Sequence, residues 1–221
     1  MTVMPMFPLQ SVLLPGAPLT LHLFEPRYRA LLRDCLDDDH RFGVVLIERG
    51  SEVGGGDVRT DVGTVAQIVA HRKAPGRGAL IGCTGAERIR VTRWLPDDPY
   101  PLADVEPWPD EPVDAPVWQA ALRRAEAPLA EYWKIYCEAV FRDTASYPVP
   151  QDHRDVFGPD ADVSPADFTF GKAAVLPIGA ADKFRVLTAA DPVSRVDVLI
   201  RALYEALPAF RLRMLGAEGQ W

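Results

Sequence analysis

The sequence predicts an α+β protein, with a mainly antiparallel β-rich part over residues 1–110 and a helical part over residues 111–221. Three observations predict it. Between Leu19 and Glu106, short apolar runs with strand-like patterning are separated by turn residues. After Pro107-Trp108-Pro109-Asp110-Glu111-Pro112, apolar residues recur at spacings of three and four, which is a helical period. A single amphipathic stripe, Tyr28, Leu31, Leu32, Cys35 and Leu36, interrupts the strands and marks one inserted helix over Pro26–Leu36.

Leu19-Thr20-Leu21-His22-Leu23 alternates apolar and polar, as a half-buried strand does. Pro26 suits the first helical position, where its missing N–H has no partner to lose. Phe42 to Ile47 is continuously apolar and bounded by Asp37-Asp38-Asp39 and Gly50, which fits a strand covered on both faces. Val62–Ala70 and Ala79–Thr84 read as further strands. Ile89 and Val91 alternate with Arg88 and Arg90, predicting one apolar and one basic face, and Leu102–Glu106 closes the set. Gly54-Gly55-Gly56, Pro75-Gly76 and Pro96-Asp97-Asp98-Pro99 are turn signals between them.

In the helical part, Trp118, Leu122, Ala125, Leu129, Trp133, Tyr136 and Val140 form a stripe, with Pro128 predicting a kink near Ala127. Arg142–Val163 is polar and contains Pro148, Pro150 and Pro159, a composition expected of a functional or disordered segment. Ser164-Pro165-Ala166-Asp167 reads as a helix start: a capping Ser, then Pro, then an acid in the first turn. Asp191-Pro192 opens another helix, with a stripe of Val196, Leu199, Leu203 and Leu207 and an expected stop at Pro208.

The chain of 221 residues is long enough to bury a core without staples. Its formal net charge of -7 disfavours a general nucleic-acid coat, which needs surplus Lys and Arg to neutralise phosphates. Cys35, Cys83 and Cys137 are odd in number and widely spaced, which fits buried free thiols in a reducing compartment rather than a disulfide framework. No apolar run approaches the roughly 18 residues of a membrane span, and Met1–Leu14 lacks the basic start of a signal peptide. A cytoplasmic location and no membrane partner are expected.

Ordered blocks then carry a resemblance. Met6-Phe7-Pro8-Leu9, Val12-Leu13-Leu14-Pro15-Gly16 and Leu23-Phe24-Glu25-Pro26-Arg27-Tyr28-Arg29 are followed by Phe42-Gly43-Val44-Val45-Leu46-Ile47 and Val62-Gly63-Thr64-Val65-Ala66. Gly85-Ala86-Glu87-Arg88-Ile89-Arg90-Val91 and Pro99-Tyr100-Pro101-Leu102-Ala103-Asp104-Val105 complete the β half. In this order they resemble the amino-terminal substrate-binding domain of the ATP-dependent protease Lon. Ala173–Ile178, Lys183–Leu187 and Asp191–Val196 are similar to the closing helices of that family, while Tyr147–Pro165 has no match in it. The resemblance implies a PUA-like antiparallel β pseudo-barrel with one inserted helix, followed by a C-terminal helical bundle. It also implies a module that recognises unfolded or partner polypeptides, a protease among them. The Phe24–Tyr28 block has a plain structural reading as well: Phe24 and Tyr28 pack, Glu25 and Arg27 pair or cap.

Catalytic constellations are missing from the sequence. The Gly171-Lys172 pair is followed by Ala173, with Ala166 where a phosphate-binding loop needs its first Gly. No Ser sits in a nucleophile elbow. Cys83 lies in a predicted strand without a neighbouring base. Asp152-His153-Arg154-Asp155 offers some metal-ligand types but falls short of a full ligand set and reads as a solvated loop. No enzymatic activity and no cofactor are expected.

Two features are candidate binding surfaces. Tyr132, Trp133 and Tyr136 make an aromatic helix face suited to apolar peptide side chains, with bundle core as the plain alternative. Tyr132 reads as offset from the stripe and free to line a groove where the β part meets the helices. Arg72, Lys73, Arg77, Arg88, Arg90 and Arg93 lie in the 71–93 hairpin and are the alternative, a basic patch for RNA or an acidic partner.

Overall fold

A computed structural model describes residues 2–50, 56–74, 78–140 and 163–215. The chain divides into two units, Met1–Pro109 and Asp110–Trp221.

The β unit comprises β1 (Thr2–Leu9), β2 (Pro18–Leu23), α1 (Pro26–Asp37), β3 (Arg41–Arg49), β4 (Val58–Ala74), β5 (Gly78–Leu95) and β6 (Leu102–Pro107). The strand order is β2-β5-β4-β3-β1-β6, with a further pairing of β5 to β6. Strand β5 is long enough to serve three partners. It meets β4 along one edge and, on the other, β2 through Ala79–Thr84 and β6 through Ile89–Leu95. The sheet therefore curls back towards itself as a pseudo-barrel rather than a closed barrel. Among the described pairs β1–β3 is parallel and the others antiparallel, so the sheet is mixed rather than purely antiparallel.

β1 is absent from the sequence reading because Pro5 and Pro8 look like breaks. The structure shows why they are tolerated. β1 pairs β6 through Thr2–Pro5 and β3 through Met6–Leu9. Each half has one strand partner, and a proline at an edge can turn its missing donor away from the ladder.

Both faces of the sheet are covered. Phe7, Phe42, Val44, Ala66, Ile81 and Cys83 pack with Tyr28, Leu31, Leu32 and Cys35 of α1 in one cluster. Met6, Val45, Val65, Ile89, Val91, Ala103 and Val105 form a second cluster. Successive residues of a strand point to opposite faces. Met6/Phe7, Val44/Val45 and Val65/Ala66 thus feed the two clusters in turn, which is why Phe42–Ile47 is apolar throughout.

Strand β5 breaks this alternation. Between the pairs Thr64–Arg88 and Ala66–Gly85, β4 advances by two residues and β5 by three. The extra residue is a β-bulge, and it reverses the side-chain parity. Cys83 and Ile89 are both odd-numbered yet belong to different clusters. Arg88 and Arg90 share the face opposite Ile89 and Val91, as their alternation predicts, but Arg88 is buried there, 4 % exposed, while Arg90 is exposed.

Helix α1 starts at Pro26 as its sequence predicts and buries Tyr28, Leu31, Leu32 and Cys35. Tyr28 stacks on Phe7 with ring centroids 4.1 Å apart. At the far end of the helix, the Tyr100 hydroxyl donates to Asp34 Oδ2 at 2.9 Å.

The helical unit contains α2 (Ala115–Val140), α3 (Pro165–Val175), α4 (Ala180–Thr188) and α5 (Pro192–Leu215). Ser164 caps α3: its Oγ accepts from the Asp167 N–H at 3.1 Å and donates to Asp167 Oδ2 at 2.7 Å. Asp191 caps α5, accepting from the N–H groups of Val193 at 2.7 Å and Ser194 at 2.9 Å.

Both helices run through their prolines, so the stop expected at Pro208 is corrected: α5 continues to Leu215. Pro128 likewise lies within a continuous α2. A helical proline deprives the carbonyl four residues earlier of its partner. Those carbonyls belong to Arg124 and Tyr204, both exposed residues where water can supply the lost bond.

α2 and α5 run side by side in the same direction. Arg124 Nη2 meets Asp197 Oδ1 at 2.8 Å near their starts, and further along the Tyr132 and Phe210 rings lie 5.2 Å apart. Arg195 ties the start of the unit together. Its side chain is fully buried, and its guanidinium donates to both carboxylate oxygens of Asp110, at 2.8 Å for the Nη1–Oδ1 bond. Its Nε donates to Thr169 Oγ1 at 2.9 Å, and the group lies 4.1 Å from the Phe170 ring centre. Asp110, in the proline-rich stretch, is thereby held to α3 and α5.

Candidate functional site

The buried stripe of α2 is Ala121, Ala125, Leu129, Tyr132 and Ile135. It is rotated from the one read in the sequence. Tyr132 is 6 % exposed, placed inside the helical unit against Phe210 and 6.1 Å from the Tyr136 ring. Burial, with the neighbouring Tyr136, pushes its hydroxyl pKa up. Trp133 and Tyr136, expected on the core stripe, are half-buried and stack on each other at 5.4 Å with 19° between their planes. The three aromatics are brought together, but with roles exchanged: Tyr132 supports from within, and the Trp133–Tyr136 pair reaches the surface. Stacked rings of this kind offer apolar area at little cost in side-chain freedom.

On the opposite flank of α2 is a groove lined by Glu131, Ile135, Tyr204, Leu207, Pro208, Arg211 and Leu212. Ile135 and Leu207 are its buried floor, while Tyr204 is 51 % and Leu212 75 % exposed. The sequence reading missed this surface because it ended α5 at Pro208. The signal was present in the spacing: Tyr204, Pro208 and Leu212 recur every four residues, off the stripe of Val196, Leu199, Leu203 and Leu207.

The basic residues of the hairpin fall into separate environments. Arg72 and Lys73 are exposed on β4, opposite Leu80 and Ala79. Arg88 and Arg90 are far along the same ladder, opposite Thr64 and Val62. Eight residues separate Thr64 from Arg72, or about 26 Å of strand. Arg88 and Arg90 both lie over the Trp108 ring, with guanidinium-to-centroid distances of 4.5 and 4.3 Å. Arg93 pairs with Asp104 at 2.6 Å. Arg77 lies outside the described residues.

The Phe24–Tyr28 block is mostly architectural. Arg27 Nε donates to Glu25 Oε2 at 3.1 Å, and its guanidinium lies 4.5 Å from the centre of the buried Tyr28 ring. Phe24, expected to pack, is 56 % exposed beside His22. Nearby in the same unit, Arg59 bridges Asp57 at 2.7 Å and Asp97 at 2.9 Å. Burial by itself raises the Asp57 carboxyl, but the Arg59 hydrogen bond and charge outweigh it and hold the group below the usual carboxylate range.

Cys35 and Cys83 are buried, and Cys137 is half-buried. Burial pushes the Cys35 thiol up to about 12, with Asp39, Asp34 and Asp38 adding to it, and pushes Cys83 up to about 11. Thiols held protonated in this way are poor nucleophiles. Among the described residues no group of His, Cys, Asp or Glu could hold a metal ion, and no helix is long and apolar enough to cross a membrane. The Asp152–Asp155 cluster and most of the Arg142–Val163 segment lie outside the described residues.

A family model described as the ATP-dependent protease La (LON) substrate-binding domain matches residues 3–205. Over 107 residues the chain is 36% identical to Lon protease 2 of Myxococcus xanthus, covering 47% of this chain and 13% of that protease. Over 210 residues it is 24% identical to a LON peptidase N-terminal domain and RING finger protein of Schizosaccharomyces pombe, covering 84% of this chain and 42% of that one. The chain thus spans well under half the length of these relatives. Among solved structures, the crystal structure of a Lon N-terminal domain protein from Xanthomonas campestris superposes with a TM-score of 0.61 at 26% identity, covering 91% of this chain and 98% of that one. The N-terminal domain of Mycobacterium avium complex Lon protease superposes with a TM-score of 0.59 at 17% identity, a likeness of fold, over 92% of this chain and 99% of that one.

Proposed function

Because the chain belongs to the Lon substrate-binding domain family, we propose that it recognises polypeptides, unfolded or partner chains, and does so without making or breaking bonds. The observation that carries this reading is the family match across both units, from residue 3 to residue 205. The contact surface in this reading is the stacked Trp133–Tyr136 pair on α2, held in place by Tyr132 beneath it. Exposed aromatic faces take up apolar side chains of an extended or unfolded chain and tolerate water at their rims. In this reading the domain supplies recognition, and the chemistry of any associated proteolysis lies outside residues 1–221.

The test is binding of a labelled, permanently unfolded protein to the purified chain, followed by fluorescence anisotropy. The double variant Trp133→Ala/Tyr136→Ala is expected to weaken binding about tenfold, corresponding to ~1–2 kcal/mol for a moderate hot spot. Little dependence on salt is expected, since apolar contact releases no counterions. Unchanged affinity in the double variant rejects the aromatic pair as the site. Steeply salt-dependent RNA binding, lost on Arg72→Ala/Lys73→Ala, replaces the polypeptide reading with the basic one.

A further inference from the structure

Among the described strands, only β2 pairs with a single other strand. Its phase on β5 is set at the turn before it. Gly16, with a φ of 76°, donates its N–H to the Gly85 carbonyl at 2.8 Å, and the Gly85 N–H donates to the Ala17 carbonyl at 2.9 Å. This is a bulge opened by a glycine in the left-handed region, and it leaves Ala17 opposite Gly85 in a hydrogen-bonded position. Bonded positions alternate along an antiparallel ladder. Leu19, Leu21 and Leu23 therefore give their backbone groups to Cys83, Ile81 and Ala79, and Pro18, Thr20 and His22 turn theirs away from β5. Thr20 is exposed, and among the described residues its outward N–H and C=O meet no other strand.

Proteins ordinarily blunt such an edge with charge. Strand β4 does so: beyond Gln67 its only partner among the described strands is β5, and there it carries exposed His71, Arg72 and Lys73. From Pro18 to Leu23, β2 carries no Lys, Arg, Asp or Glu. Its Leu19 and Leu21 are half-buried at the rim of the core cluster that holds Leu23. The next residue, Phe24, is 56 % exposed. The edge thus offers outward backbone groups flanked by apolar side chains.

We propose that the β2 edge takes up a polypeptide segment as an added strand. The proposal rests on the polypeptide-recognition reading and names the form recognised: an extended segment whose apolar side chains alternate, one set lying beside Leu19 and Leu21. Donors and acceptors spaced along a strand are matched in register only by another extended backbone. A second copy of β2 fits less well. A two-fold pairing centred on Thr20 sets Pro18 against His22 at both ends, so the missing proline N–H removes two ladder bonds, whereas a separate antiparallel segment meets Pro18 once. The edge belongs to the β unit and recognises backbone; the Trp133–Tyr136 pair belongs to the helical unit and recognises side chains. Each can fail without the other.

The probe is a labelled peptide of about eight residues alternating valine and threonine, long enough for one strand, titrated with the full chain by fluorescence anisotropy. Two further versions carry N-methyl groups on the valine amides only or on the threonine amides only. In an added strand one of these sets faces β2 and the other faces away, so one version is expected to bind like the parent and the other roughly tenfold or more weakly. Thr20→Pro removes the outward donor without touching the bonds to β5 and is expected to weaken the parent peptide about tenfold. Thr20→Lys places a guarding charge on the edge and is expected to act in the same direction, which keeps the test decisive where the proline variant fails to fold. Trp133→Ala/Tyr136→Ala is expected to leave the peptide affinity unchanged. Methylated versions that bind alike overturn the proposal, as does a wild-type chain that does not bind the parent peptide or a peptide affinity indifferent to both Thr20 variants. If the unfolded protein still binds through Trp133 and Tyr136 in those cases, the polypeptide reading stands and only the edge is rejected. A dimer in sedimentation velocity that Thr20→Lys dissolves, without peptide binding, assigns the edge to a second copy instead.

Discussion

Replacing Arg195 by methionine tests the energetics of the helical unit most directly. The guanidinium is wholly buried and gives both of its Nη groups to Asp110 and its Nε to Thr169. Thr169 keeps its own bonds to the Pro165 and Ala166 carbonyls, at 2.9 and 3.0 Å, so its hydroxyl is not orphaned by the change. Asp110 is in a different position: its side chain is 19% exposed and loses its buried counter-charge. Removing one member of a buried pair costs about 3–5 kcal/mol, and the partial exposure of Asp110 places this variant at ~3 kcal/mol, the lower end. Asp110→Leu leaves the guanidinium charged, with no solvent to take it, and belongs at the upper end, ~5 kcal/mol. The double variant removes both charges, and methionine can keep contact with Phe170, so it is expected to be more stable than Asp110→Leu alone. Denaturant unfolding followed by helical circular dichroism measures all three. If either single variant unfolds within about 0.5 kcal/mol of wild type, the range of an ordinary surface change, the pair is not buried in the energetic sense and the reasoning fails.

Two further outcomes are expected. Burial raises the Asp191 carboxyl, but hydrogen bonds from the Ser194 hydroxyl and from the Ser194 and Val193 N–H groups, with the Arg195 charge, outweigh it and hold the group below its ordinary 3.8. Its folded value is depressed, so it contributes stability above about pH 4 that is lost as pH falls through the lowered value. Melting temperatures of wild type and Asp191→Asn should therefore differ near neutrality and converge in acid, and a gap that persists in strong acid contradicts the assignment. Thiol titration of the native protein should modify Cys137 first, with Cys35 and Cys83 reacting only as the β unit opens. Early labelling of Cys83 refutes that order.

Much of the fold is legible in the sequence because its signals are local. A period-two run, a proline at a helix start and a serine before Pro165 each act within a few residues of themselves. What escapes is set by distant partners. The bulge in β5 is invisible in Gly85–Ile89, since it exists only relative to the register of β4. Strand β1 is hidden by prolines that are harmless once each half has a single partner. The aromatic helix shows the same limit. Leu129, Tyr132, Trp133 and Tyr136 fall within about 100° of the circumference of α2, so the sequence marks one face without saying which edge of it is covered, and Phe210 on α5 lies against Tyr132. Glu131 and Arg211 line one groove only because α2 and α5 pack side by side, which no spacing within either helix reveals.

The placing of β1 between β3 and β6 has a consequence for how the chain is made. Its residues are made before those of either partner: Thr2 pairs with Val105 and Met6 with Gly43. At about 5–20 residues per second, the amino-terminal half of β1 waits ~5–20 s for its partner to be synthesised. During that interval Val3 and Met4 have no ladder partner, whereas Met6 and Phe7 can pair once β3 is made. Strand β5 too lacks its third partner until Leu102–Pro107 emerges. The β unit therefore closes late, and every nascent chain shorter than this leaves Thr2–Pro5 with nothing to pair with. A protein proposed to bind unfolded polypeptides passes through a stage at which its own first strand is one.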